Sequence, residues 1–120
     1  MFSNSPPAII YRCRSTIIFM HEALIQIRAN HELTEEQREV VRSITKRYAT
    51  GGVEWEIFQP RSGRGLDVYI SSLGVARRTA SRIARSLNGK ISESTKYLGM
   101  KDGKRRYRFH LRIRILMKNL

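Results

Sequence analysis

Cysteine is nearly absent: Cys13 is the single thiol in 120 residues. That excludes an internal disulfide and a thiolate zinc cage, and Cys13 reads as a small hydrophobe in a reducing, cytoplasmic setting. Long apolar runs are missing too. In the most apolar stretch, MFSNSPPAIIYRCRSTIIFM, Arg12 and Arg14 interrupt the isoleucines, so neither a signal peptide, a transmembrane helix nor a membrane partner is expected. Acid is scarce where it would balance base. Residues 1–56 hold seven Lys plus Arg and seven Asp plus Glu, whereas residues 57–120 hold sixteen basic and three acidic. The whole net charge of +13 therefore lies in the second half, and such a field draws polyanions, nucleic acid foremost.

Catalytic groupings are equally thin. His21, His31 and His110 fall in three different segments, none at metal-ligand spacing from a cysteine or carboxylate, so no metal and no cofactor is expected. Glu54 and Glu56 read as exposed alternate positions of one strand. A metal-dependent nuclease needs acids beside its basic patch, and only Asp67, Glu93 and Asp102 are available. The chain reads as non-enzymatic, and a nuclease survives only if those three acids converge.

The length suits one domain. Residues 1–20 read as a lead-in or, over Ala8 to Met20, an extra strand, and residues 21–120 as a single α/β domain. HEALIQIRA alternates Ala23, Ile25 and Ile27 with Glu22, Gln26 and Arg28, which predicts a strand. LTEEQREVVRSITKRYATGG changes period: Thr34 with Gln37 makes a capping box, Val40, Val41, Ile44 and Tyr48 form an apolar stripe, and Gly51-Gly52 ends the helix. VEWEIFQ and GLDVYISS are strands joined by PRSGR. LGVARRTASRIARSLNG is a second helix, with Ala76, Ala80, Ile83 and Leu87 inward and Arg77, Arg78, Arg82 and Arg85 outward. KISESTKYLGM and KRRYRFHLRIRIL flank Asp102-Gly103, a strong hairpin signal. The order β-α-β-β-α-β-β predicts an α+β fold, a ferredoxin-like two-layer α/β sandwich with an antiparallel sheet and both helices on one face.

The last strand carries the functional argument. Tyr107, Phe109, Leu111, Ile113 and Ile115 share one face, which wants a core, while Arg106, Arg108, His110, Arg112 and Arg114 share the other. Guanidinium groups grip phosphate bidentately and stack on bases, so this row is a candidate nucleic-acid surface; edge-strand protection against aggregation is the plainer reading. In the loop PRSGRG the backbone amides could approach a phosphate while Arg61 and Arg64 supply charge. Tyr69 is either a base-stacking platform or a partly buried packing residue. Arg77, Arg78, Arg82 and Arg85 make a second basic surface, and the sheet order decides whether the two join.

Several segments together resemble the family of the large-ribosomal-subunit nuclear export adaptor, historically called nonsense-mediated decay protein three, and its archaeal relatives. EALIQIRA (Glu22 to Ala29) resembles the strand after that family's zinc-binding region. GLDVYISS (Gly65 to Ser72) is similar to its G-(L/I)-D-(F/V)-Y strand, and SESTKYLGMKDGKRRYRFHLRIRI (Ser92 to Ile115) to its S-K-x-L segment, acidic turn and final strand. The family's zinc-binding cysteine pairs are absent, as are the long region beyond the central domain and the export-signal tail. The resemblance implies a stand-alone central domain, archaeal in origin, that touches the large ribosomal subunit or its RNA, with Arg61, Arg64, Arg108, Arg112 and Arg114 as contacts. The leading expectation is thus a non-enzymatic rRNA-binding protein in ribosome assembly or quality control. The alternative is a basic protein-protein adaptor that dimerises through an exposed strand.

Overall fold

The computed structural model describes residues 8–12 and 22–115, with side chains over 22–100 and 102–115. The expected elements are present: β1 (Ala8–Arg12), β2 (Ala23–Ala29), α1 (Glu35–Tyr48), β3 (Trp55–Gln59), β4 (Gly65–Ile70), α2 (Leu73–Leu87), β5 (Gly89–Lys101) and β6 (Lys104–Ile115). Of the stretch Ala8 to Met20, the first five residues are a strand; Cys13, Arg14 and His21 lie outside the described residues.

Local chemistry sets the boundaries. Thr34 accepts from the Gln37 amide while the Gln37 side chain accepts from the Thr34 amide, satisfying two of the free donors at the start of α1. Ser72 caps α2 on the Val75 amide, and Asn88, in the left-handed region, closes it. Asp102 and Gly103 both have positive φ, the requirement of a two-residue hairpin turn.

One sheet face and both helices share a single core. Ile25 and Ile27 of β2, Ile57 of β3, Leu66, Val68 and Ile70 of β4, and Leu111, Ile113 and Ile115 of β6 meet Val41 and Ile44 of α1 and Ala76, Ala80 and Ile83 of α2. The other sheet face carries no helix among the described residues.

Two expectations need correction. The sheet is mixed, not antiparallel: its order is β1-β3-β4-β2-β6-β5, and β2 pairs in parallel with β6 while every other pair is antiparallel. A ferredoxin-like sheet would seat the strand that follows α2 beside β2, running against it. Here that strand, β5, is displaced to the edge. The inner place needs three apolar residues on the helix side, which Leu111, Ile113 and Ile115 supply and Ile91, Glu93 and Thr95 cannot. Because the apolar arm is the second of its hairpin, it enters in the opposite direction. Second, Tyr107 was expected in the core with Leu111 and Ile113, yet it is exposed. β2 pairs only from Phe109 onward, so among the described residues the outer half of the β5–β6 hairpin extends past the sheet.

Candidate nucleic-acid interface

The charged side of β6 lies on the helix-free face. Its partners follow from register: Lys90 stands opposite Arg114, Ser92 opposite Arg112, Ser94 opposite His110, and Lys96 opposite Arg108. On the inner side Gln26 neighbours Arg112 and Leu24 neighbours His110. Across β5 and β6 the face is thus a run of cations interrupted by Ser92, Ser94 and His110. The acids of this face, Glu56 and Asp67, sit on β3 and β4, on the far side of β2.

Arg28 bridges the two halves. Its Nη1 lies 2.7 Å from Asp67 Oδ1 and donates to the Ile27 carbonyl at 2.9 Å. The lack of a side chain at Gly65 makes room: a Cβ there would run into the Ile27 carbonyl oxygen and crowd that same guanidinium. Asp67 is thereby neutralised by a residue the sequence did not single out, and the more distant Arg112 and Arg114 stay exposed.

Tyr69 stands on the same face in a half-buried aromatic corner. Phe58 meets it edge-on, with ring centroids 5.3 Å apart and planes at 84°, and the Arg108 guanidinium lies 5.7 Å from its centroid. Burial, helped by the neighbouring Asp67 carboxylate, pushes its phenol above the ordinary value, while Arg108 and Arg28 pull the other way. The packing reading of Tyr69 describes this geometry. The buried Nε of Arg108 has no hydrogen-bond partner among the described residues.

His110 sits between Arg108, Arg112 and Lys96. Its pKa is lowered, first by burial and then by those three cations, and its buried Nε2 has no hydrogen-bond partner among the described residues. A histidine whose folded-state pKa lies below its unfolded value stabilises the fold above the unfolded pKa. That contribution is lost as pH falls from there through the depressed folded value, because the unfolded chain takes the proton more readily. A thermal melt series from neutral to mildly acidic pH should show stability falling below the ordinary imidazole range. His110→Gln should flatten that part of the curve, and an unchanged slope would remove His110 as its cause.

The remaining candidates are distributed as follows. Arg61 and Arg64 are exposed on the β3–β4 loop, at the sheet end that also holds Arg28, Arg114 and Lys90. Two backbone amides of that loop are engaged within it. The Gly63 amide donates to the Pro60 carbonyl at 3.0 Å and the Arg64 amide to Ser62 Oγ at 3.1 Å, since the tight turn consumes its own donors. Arg106 lies on the projecting part of β6. Arg78, Arg82 and Arg85 are exposed on α2, in the opposite layer, so the two basic surfaces do not join across the sheet. Arg77 is bound in a two-pronged contact with Glu93, Nε to Oε1 at 3.1 Å and Nη2 to Oε2 at 2.8 Å, which lowers the Glu93 pKa and ties α2 to β5.

The three acids required of a nuclease stay apart: Asp67 is on the helix-free face, Glu93 on the helix side, and Asp102 in the hairpin turn. Lys90, Lys96 and Arg28, which complete the basic face, were missed. Arg28 was visible only as a polar alternate of its strand, and the two lysines depend on a bulge in β5.

The family model described as NMD3, second domain, matches residues 20–115. The chain belongs to the NMD3 family. The segments that carried the resemblance, Glu22 to Ile115, lie inside that match, and a search of curated proteins returns no match. NMD3 membership points to a ribosome-related function, the large subunit being the family's partner, in a family not known for enzymes. Among the described residues of this NMD3 domain, no helix is long and apolar enough to cross a membrane.

Proposed function

We propose that this NMD3-family chain is a non-enzymatic, cytoplasmic RNA-binding protein that contacts large-subunit rRNA during ribosome assembly or quality control. The observation that carries the reading is the β5–β6 half of the helix-free face. There Lys90, Lys96, Arg108, Arg112 and Arg114 lie side by side, and no carboxylate stands opposite any of them in the hairpin register. Like charges set across paired strands repel, so such a row costs stability unless an anion compensates it. Arg61 and Arg64 extend the grip at one end and Arg106 at the other. Tyr69 holds Arg108 by its ring. Arg78, Arg82 and Arg85 belong to a separate surface, which a second RNA segment of a large particle would meet, while Arg77 on the same helix is taken up by Glu93.

The test is co-sedimentation with purified ribosomal subunits over a salt series. The chain is expected to travel with the large subunit at physiological salt. If about four phosphates are neutralised, RNA affinity should fall roughly 10²-fold between 50 and 200 mM salt. Association insensitive to salt would remove the phosphate grip. The adaptor reading rests on one feature, the outer edge of β5, unpaired among the described residues, thirteen residues long and exposed through most of its length. It requires a dimer or strand-paired partner in sedimentation equilibrium.

A further inference from the structure

The projecting end of the β5–β6 hairpin carries a second kind of surface. Beyond the last β2 pairing, β6 continues from Arg108 out to Lys104, roughly 17 Å of strand at ordinary rise. A bulge at Leu98 makes the register shift between Tyr97 and Gly99, and Gly99 takes a positive φ of 109° to accommodate it. The bulge has a chemical consequence. Without it Tyr97 and Met100 would point to opposite faces; with it Tyr97, Met100, Arg105 and Tyr107 gather on one face around a shallow open depression.

Tyr97 and Tyr107 are direct cross-strand partners, with ring centroids 5.5 Å apart and planes tilted by 59°. Both are about half exposed, at 52% and 42%, and Met100 reaches 63%. A buried core does not need them, and water does not favour them. Cations surround them: Lys104 and Arg105 at the tip, with Arg106, Arg108 and Lys96 behind, and Asp102 the single acid from Ser94 to Ile115. Aromatic rings beside guanidinium and ammonium groups complement a molecule with flat π-faces strung on a polyanion. A paired duplex keeps its base faces inside the stack and offers them no ring contact, whereas unpaired nucleotides do.

We propose that Tyr97 and Tyr107, with Met100 and Arg105, form a stacking site for an unpaired RNA base at the tip of the hairpin. The adjoining phosphate would be held by Arg105, which shares that face. The site rests on the RNA-binding reading and refines it. The helix-free face supplies charge-driven grip that does not depend on base exposure, and the hairpin tip supplies preference for single-stranded or bulged RNA. The two faces of the hairpin thus divide the work, and the bulge is the device that sends Tyr97 to the aromatic face and Lys96 to the cationic row.

Fluorescence anisotropy of the full chain with a labelled single-stranded RNA and a fully paired duplex of equal length tests this. The wild type is expected to prefer the single strand. Y97A/Y107A should weaken single-strand binding by about 10-fold or more, leave duplex binding unchanged, and leave the slope of log affinity against log salt intact. Y97F/Y107F keeps the rings and should retain the preference, which separates stacking from misfolding. Equal loss on both RNAs, or no loss, overturns the stacking site alone. Absence of binding to either RNA by the wild type overturns the RNA reading and the site with it. Y97A/Y107A that binds RNA normally but no longer sediments with the large subunit assigns the tip to a ribosomal protein and overturns the base site.

Discussion

Gly65→Ala should lower the unfolding free energy by about 3 kcal/mol or more, a large share of a small domain's typical 5–15. Gly65 opens β4 opposite Arg28 of β2 and is buried. The obstacle to a methyl group is backbone, the Ile27 carbonyl oxygen, so no side-chain rotation relieves it. Relief requires pushing β4 away from β2 at the strand pair that also brings Ile27 and Leu66 into the core. The guanidinium of Arg28 is displaced with it, along with the hydrogen bond to the Ile27 carbonyl and the ion pair to Asp67. Urea denaturation of the two proteins checks the prediction. Gly51→Ala and Gly52→Ala are useful contrasts, because their added methyls meet nothing within 4 Å and strain only a positive φ in an exposed turn. If Gly65→Ala lowers the midpoint no further than they do, the close approach of β2 and β4 does not have the role assigned to it.

The elements were legible because each carries its own local signal. Thr34 and Gln37 mark the start of α1, the period of Ala76, Ala80 and Ile83 sets the buried side of α2, and Asp102-Gly103 fixes the hairpin turn. Sheet order was not legible, since it depends on which arm of a hairpin can fill a central place. Burial decides that only once Leu111, Ile113 and Ile115 compete with Ile91, Glu93 and Thr95. The basic face was half legible for a related reason. Counting back from the turn without a bulge pairs Tyr97 with Arg108 and sends Lys90 and Lys96 to the helix side. One extra residue at Leu98 reverses every side chain of β5 below it, and the period of the sequence contains no trace of that reversal. Nor does composition reveal that Arg28 neutralises Asp67 or that Glu93 occupies Arg77. Such pairings need two strands, or a strand and a helix, already in place.

Those pairings also decide which arginines are worth removing. R112Q/R114Q should weaken binding of a short RNA by about 10- to 30-fold near physiological salt, and should reduce the magnitude of the salt slope by about 1.4 to 1.8. Both side chains are exposed on β6, with Gln26 and Ser92 beside the first and Lys90 beside the second, so neither substitution opens the core or strands an acid. Removing two mutually repelling cations should leave the melting temperature equal or slightly higher. Loss of affinity with gain of stability is the signature of a surface kept for its ligand. Arg77→Gln should give neither effect, because its charge is already committed to Glu93. R78Q/R82Q/R85Q, on the far layer, should leave a short RNA bound as before while weakening association with whole subunits. If instead the helix triple removes short-RNA binding and R112Q/R114Q preserves it, the nucleic-acid surface belongs to α2, and the cationic row of β6 is nothing more than protection of a strand.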